Sequence, residues 1–159
     1  MLYLFDMDGT LRVARLFPAL GPLATWDQRM LPGRRERLEQ LHAQGHRIGV
    51  ASNQGAVAFG LVTLARCERI MQETNRRLGG RLEWIGICPH HPRGLRPAYR
   101  LDCACRKPAP GLLLEALAGF GVPAREAVFI GDRETDRLAA VAAGVAFEPA
   151  ARFFAADWG

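Results

Sequence analysis

The chain has 159 residues, 49% hydrophobic and 23% charged, the ordinary globular balance, with length for one core and little room for a second. No run approaches ~18 consecutive apolar residues, which argues against a membrane span. The net charge of +5 suits an anionic ligand, but its scattered arginines are not by themselves the footprint of a nucleic-acid binder.

The chain opens on an apolar run, Leu2 to Phe5, that stops at two acids one residue apart, Asp6 and Asp8, before Gly9 and Thr10 turn it. A short apolar run ending in turn residues predicts a buried parallel strand. Because no basic segment and apolar signal stretch precede it, a cytoplasmic location is expected. Ligands of open parallel sheets sit at the carboxyl ends of strands. Two carboxylates there need a counter-charge, and Mg²⁺ favours carboxylate oxygens together with a substrate phosphate. The plain alternative is a strand followed by an acidic cap, Asp8 or Thr10.

Residues 11–32 carry Pro18, Gly21, Pro22 and Pro32 and read as loop. Phe17, Leu20, Leu23 and Trp26 make the stretch too apolar to lie free, so a packed flap near the end of the first strand is expected. Residues 34–44 read as a helix with Leu38 and Leu41 inward and Gly45 at its end. Residues 46–51 read as a strand closing at Ser52-Asn53-Gln54-Gly55. Thr63 opens a helix reaching about Leu78, stopped by Gly79-Gly80, and residues 82–88 form a third strand. Residues 89–108 are irregular and rich in Pro, His, Arg and Cys. Pro110 starts a helix to Phe120 with Leu112, Leu113, Ala116 and Leu117 on one face. Residues 126–131 form a fourth strand ending at Asp132, followed by a helix over 134–143 and a short strand over 145–147. The tail from Arg152 reads as a helical turn docking Phe153 and Phe154 on the core.

Strands alternating with helices predict an α/β fold: a Rossmann-like three-layer sandwich around a central parallel sheet, with residues 1–159 forming a single domain. Parallel strands deliver Asp6 and Asp8, Ser52 and Asn53, the approach to Lys107, and Asp132 with Asp136 to one sheet edge. Phosphoryl transfer needs this mixture. One carboxylate attacks phosphorus, a second acts as general acid and base, a divalent ion offsets charge repulsion, and hydroxyl, amide and ammonium donors hold the transferring oxygens.

Cys88, Cys103 and Cys105, with His90 and His91, form a second group. In a reducing compartment clustered thiols favour metal over disulfides. Three thiols and one imidazole make a closed tetrahedral set suited to structural Zn²⁺, in a loop spanning about residues 88–105. Spacing leaves open which histidine ligates. Cys67 lies apart, on a predicted helix, and reads as a small core residue.

These residues resemble the haloacid dehalogenase (HAD) superfamily of phosphohydrolases over nearly the whole chain. Asp6-Met-Asp8-Gly-Thr is similar to its first motif, Ser52 to its second, Lys107 to its third, and Gly131-Asp132-Arg-Glu-Thr-Asp136 to its fourth. The resemblance implies Asp6 as nucleophile and Asp8 as general acid/base. It implies Mg²⁺ held by the Asp6 carboxylate, the Asp8 backbone carbonyl and the Asp132 carboxylate. Ser52, the Asn53 backbone amide and Lys107 would bind the phosphoryl group. Asp136 would orient Lys107 or a metal-bound water; its alternative is a first-turn helix acid favoured by the dipole.

The cysteine loop is similar to that of the zinc-bearing branch, the D-glycero-D-manno-heptose 1,7-bisphosphate 7-phosphatases and histidinol-phosphate phosphatases. That implies His90 as the fourth zinc ligand, with Cys88, Cys103 and Cys105, and Arg106 as a substrate contact. The chain departs from the heptose branch at Met7, and at Phe59, where that branch commonly has Arg. No insertion after Thr10 or Ser52 is long enough for a large cap, so loops must supply specificity, with Arg12, Arg15, Trp26 and Arg106 as candidates. The expected function is Mg²⁺-dependent phosphomonoester hydrolysis on a small sugar phosphate such as a heptose bisphosphate, by a monomer with no membrane partner. The alternatives are histidinol phosphate and, through the Asn53-Gln54 step and the basic balance, the 3′-phosphate of a nucleic-acid end.

Overall fold

The computed structural model describes residues 1–16 and 26–156. Five strands form a parallel sheet: β1 (Leu2–Phe5), β4 (Arg47–Asn53), β5 (Trp84–Cys88), β6 (Ala127–Gly131) and β7 (Ala146–Pro149), in the order β5-β4-β1-β6-β7. β1 is central and pairs with both β4 and β6, Phe5 lying opposite Val50 on one side and Ile130 on the other. After β1 the chain builds toward β5 and then crosses back to β6. The strand order therefore reverses at β1, and its carboxyl end opens into the crevice where such sheets bind ligands.

Alternation along β1 divides the core. Leu2 and Leu4 join Phe129, Leu113, Leu117 and Ala140 beneath α3 (Gly111–Phe120) and α4 (Glu134–Ala143). Phe5 joins Val50, Leu38, Leu41, Met71 and Phe153 on the other face, beneath α1 (Arg34–Ala43), α2 (Leu64–Arg77) and α5 (Ala150–Ala155). A residue such as Phe129, fully buried, contributes about 2–3 kcal/mol through removal of its ring from water. Helices on both faces make the expected three layers. Thr63 caps α2 by accepting from the Arg66 N–H, and Gly45 leaves α1 at φ 80°. Phe153 docks edge-on against Phe5, as expected of the tail.

The loop expected throughout residues 11–32 is corrected. Arg12–Leu16 (β2) and Trp26–Met30 (β3) pair antiparallel, so the stretch is a two-stranded hairpin and not loop throughout. Its alternation is inverted from the usual pattern, a buried arginine at Arg12 beside an exposed Val13, which hid the strand from a hydrophobic reading. Pro18, Leu20, Gly21, Pro22, Leu23 and Phe17 lie outside the described residues. Among the described residues no helix is long and apolar enough to cross a membrane.

Candidate active site and cysteine cluster

The carboxyl ends of β1, β4 and β6 meet at a cleft of about 220 Å³ lined by Asp6, Asp8, Asn53, Arg106, Lys107, Arg133, Thr135 and Asp136. A larger cleft, about 1070 Å³, runs along the β5 edge between α2 and α3, away from these residues. The small cleft gathers the carboxylates together with Lys107 and Arg106. The backbone N–H of Asp6 donates to the Ile130 carbonyl at 2.8 Å, extending the β1–β6 ladder by one residue and aiming Asp6 off the sheet edge.

Lys107 is 3% exposed, and its Nζ donates to Asp6 Oδ1 and to Asp136 Oδ1, both at 2.6 Å. Oxygens of Asp6, Asp132 and Asp136 lie within 4.8 Å of one another, so three carboxylates face one ammonium. Burial raises the Asp6 carboxyl to about 7; Asp136 and Asp132 add to the rise against the pull of Lys107. That excess negative charge is what a divalent cation offsets, and the carboxylate set could hold one.

Two glycines make the crowding feasible. Gly9 has φ 90°, and a Cβ there would land on the Asp132 carboxylate. A Cβ on Gly131 would strike the Asp136 carboxylate. Asp136 combines both roles read from the sequence: Oδ2 accepts the Arg133 N–H at 3.0 Å at the start of α4, while Oδ1 takes Lys107. Thr10 Oγ1 donates to Asp132 Oδ1 at 3.3 Å, tying the turn after β1 to the end of β6.

Asp8 is gripped from behind: Arg12 Nε donates to Oδ1 at 2.9 Å and Gln54 Nε2 to Oδ2 at 2.7 Å. Arg12, expected as a specificity residue or a surface charge, is corrected: it is fully buried and points at Asp8. Of the other loop candidates, the side chains of Arg15 and Trp26 lie outside the described residues, and Arg106 lines the cleft. Ser52 is 1% exposed and does not line the cleft; its Oγ lies 2.8 Å from Gln54 Nε2. Asn53 lines the cleft, but its side-chain amide is engaged with the Lys107 backbone. Gln54 enters the sequence reading only through the Asn53-Gln54 step after Ser52, and Arg133 and Thr135 only as members of the fourth motif; no sequence signal marks their places at the cleft.

Cys88, His90, Cys103 and Cys105 converge. Their sulfurs lie 3.1–3.5 Å apart, and His90 Nδ1 stands 3.3 Å from Cys105 and 3.7 Å from Cys88. Zn–S bonds of about 2.3 Å in a tetrahedron would set sulfurs roughly 3.8 Å apart, so the cluster is slightly contracted from a zinc cage of the right donors. His90 is thus the clustered histidine. His91 instead accepts the Arg93 N–H at 3.0 Å and rests against Phe59. The Arg106 N–H donates to Cys103 Sγ at 3.3 Å, and the Arg106 guanidinium to the His90 carbonyl at 3.2 Å, so the cluster anchors the segment that carries Lys107. Cys67 is buried in the core, as expected, and burial raises its thiol to about 11.

A family model described as HAD-hydrolase-like matches residues 104–147, the stretch holding Arg106, Lys107, Asp132 and Asp136. The chain is 34% identical to the D-glycero-beta-D-manno-heptose-1,7-bisphosphate 7-phosphatase of Rhodopseudomonas palustris, over 81% of this chain and 72% of that protein. It is 33% identical to the enzyme of the same name from Escherichia coli K12, over 88% of this chain and 73% of that one. A crystal structure of D,D-heptose 1,7-bisphosphate phosphatase from B. bronchiseptica, complexed with magnesium and phosphate, superposes with TM-score 0.73 at 27% identity, covering 92% of this chain and 78% of that one. The chain belongs to the haloacid dehalogenase superfamily of phosphatases, in the branch of these heptose-bisphosphate enzymes.

Proposed function

We propose that this chain removes the 7-phosphate of D-glycero-β-D-manno-heptose 1,7-bisphosphate, residues 1–159 acting as one phosphatase domain. The observation that carries the reading is the Asp6 carboxylate at the floor of the cleft, bonded to Lys107 and within 4.8 Å of Asp132 and Asp136. The names of the relatives support the substrate.

Asp6 is the nucleophile. Its oxygen attacks phosphorus, the bond to the leaving oxygen breaks, and the proton that oxygen needs comes from Asp8. Asp8 then takes a proton from water as the water oxygen attacks the aspartyl phosphate, and Asp6 is freed. Lys107 holds the Asp6 oxygen in line and donates to the transferring phosphoryl group. Asp136 fixes that ammonium, and Arg106 meets the substrate at the cleft mouth. The carboxylates of Asp6 and Asp132 with the Asp8 carbonyl would hold Mg²⁺, which supplies charge neutralisation between carboxylate and phosphate. Cys88, His90, Cys103 and Cys105 would hold a structural Zn²⁺. The donor set is closed, so this site orders the loop and takes no part in the reaction. Thiols kept free for such a site suit the reducing cytoplasm.

Phosphate release from the heptose 1,7-bisphosphate with Mg²⁺ tests the reading, measured beside histidinol phosphate and a 3′-phosphorylated oligonucleotide. The heptose substrate should have the highest kcat/KM, and Asp6→Asn should abolish turnover. Preference for either competitor replaces the substrate assignment, and activity surviving Asp6→Asn refutes the nucleophile.

A further inference from the structure

We propose that Arg12 is a positioning residue that, with Gln54, fixes the acid/base carboxyl of Asp8 so that its proton faces the cleft. The inference rests on the reaction proposed above. Arg12 is the largest fully buried side chain among the described residues. A guanidinium that deep is retained only with partners that satisfy its charge and its N–H groups. Its Nε donates to Asp8 Oδ1 at 2.9 Å; its Nη1 donates to Gln28 Oε1 at 2.8 Å and to Thr74 Oγ1 at 2.7 Å. Thr74 Oγ1 in turn stands 2.6 Å from Gln28 Oε1. The hairpin β2–β3 and helix α2 therefore converge on one guanidinium whose Nε meets Asp8.

The second oxygen of Asp8 is held independently by Gln54 Nε2 at 2.7 Å. Two donors on two oxygens, both from the protein side, fix the plane of the carboxyl group. Asp8 still lines the cleft with a side chain 35% exposed, so the lone pairs left over point to the substrate. A proton carried by Asp8 then sits where the leaving oxygen arrives. As the Asp6–phosphorus bond forms and the bond to the leaving oxygen breaks, that proton passes to the leaving oxygen. In the second half, the attacking water returns a proton to the same position. On this account the hairpin after β1 is the back wall of the acid/base.

Proton donation matters most when the leaving group is a poor one. The test is kcat/KM for Arg12→Lys over a series of aryl phosphates, from p-nitrophenyl phosphate to unsubstituted phenyl phosphate. Lysine keeps the charge but cannot reach three acceptors with a planar fork. Phenyl phosphate should lose about 10-fold or more while p-nitrophenyl phosphate loses less than about 3-fold. The isosteric Thr74→Val, which removes one support of the guanidinium, should steepen the same dependence less and carries the test if Arg12→Lys does not fold. A parallel loss along the series, or none, overturns the role of Arg12 in an enzyme whose wild-type activity stands. A wild-type chain that releases phosphate from none of the series refutes the phosphatase reading and this proposal with it.

Discussion

Asn53 and Lys107 are joined by two hydrogen bonds of 3.0 Å: Asn53 Nδ2 donates to the Lys107 carbonyl, and the Lys107 N–H donates to Asn53 Oδ1. An amide side chain at the end of β4 thereby imitates a strand partner for a loop residue. Asn53→Leu would leave a backbone donor and acceptor without partners, at about 1–3 kcal/mol each where water is excluded. The expected result is a loss of at least about 100-fold in kcat, since a catalytic group displaced by about 1 Å costs that much. The melting temperature should fall by about as much as with a core truncation. Steady-state kinetics beside a thermal melt checks it; unchanged kcat would mean that Lys107 is placed by its carboxylate partners alone.

The raised Asp6 carboxyl gives a dependence on pH whose sign is fixed. Burial, then the neighbouring acids, lift it from 3.8 to about 7 without a cation. Between those values the folded chain binds a proton that the unfolded chain does not, so stability falls as pH rises through the interval. Above about 7 the ionised group is a standing cost, and Asp6→Asn mimics its protonated form. In EDTA at pH 8, Asp6→Asn should melt several degrees above wild type, and the gap should close toward pH 5. Mg²⁺ favours the ionised form, so the acid limb of kcat/KM should move to lower pH as Mg²⁺ is raised. A limb indifferent to Mg²⁺ would separate the cation from Asp6.

The strand ends were readable because each combines an apolar run with an abrupt polar stop. Asp6, Asn53 and Asp132 fall at one edge on that ground, and the four donors of the cysteine loop stand out by donor type and, for His90, by resemblance. Arg12 was not readable. An arginine following a turn signals surface by composition, and its burial depends on Thr74, far along the chain, and Gln28 on the paired strand. For Ser52 the sequence leaves the direction of the hydroxyl open. The sequence places it at a strand end, but the pleat decides which way its hydroxyl faces, and here it turns beneath Gln54.

Gly131 lies against the Asp136 carboxylate with no space for a methyl group. Gly131→Ala keeps an accessible backbone conformation but must push Asp136 away from Lys107 or from the Arg133 N–H. We expect activity to fall at least about 10-fold, with a stability loss of about 1–3 kcal/mol from overpacking. The comparison variant is Gly119→Ala, where a Cβ meets nothing within 4 Å on a helix surface. That change should leave activity intact and raise stability slightly, by up to about 1 kcal/mol. Equal effects at the two positions would show that the crowding at Gly131 is relieved without moving Asp136.

Disruption of the cysteine cluster should act on stability and on substrate binding together. Metal analysis of the purified chain should find about one zinc per molecule, as a closed four-donor set holds a single ion. Cys103→Ala removes both a proposed zinc ligand and the acceptor of the Arg106 N–H. A structural zinc contributes directly to folding, so a loss of roughly 3 kcal/mol, or about 6–12 °C in melting temperature for a chain of this size, is expected. Arg106 lines the cleft and is anchored through Cys103 and the His90 carbonyl, so KM for the bisphosphate should rise by about 10-fold. Lys107 keeps its bonds to Asp6, Asp136 and Asn53, so kcat should fall less than KM rises. A variant that loses its zinc yet keeps both its melting temperature and its KM would show that the loop orders itself without metal.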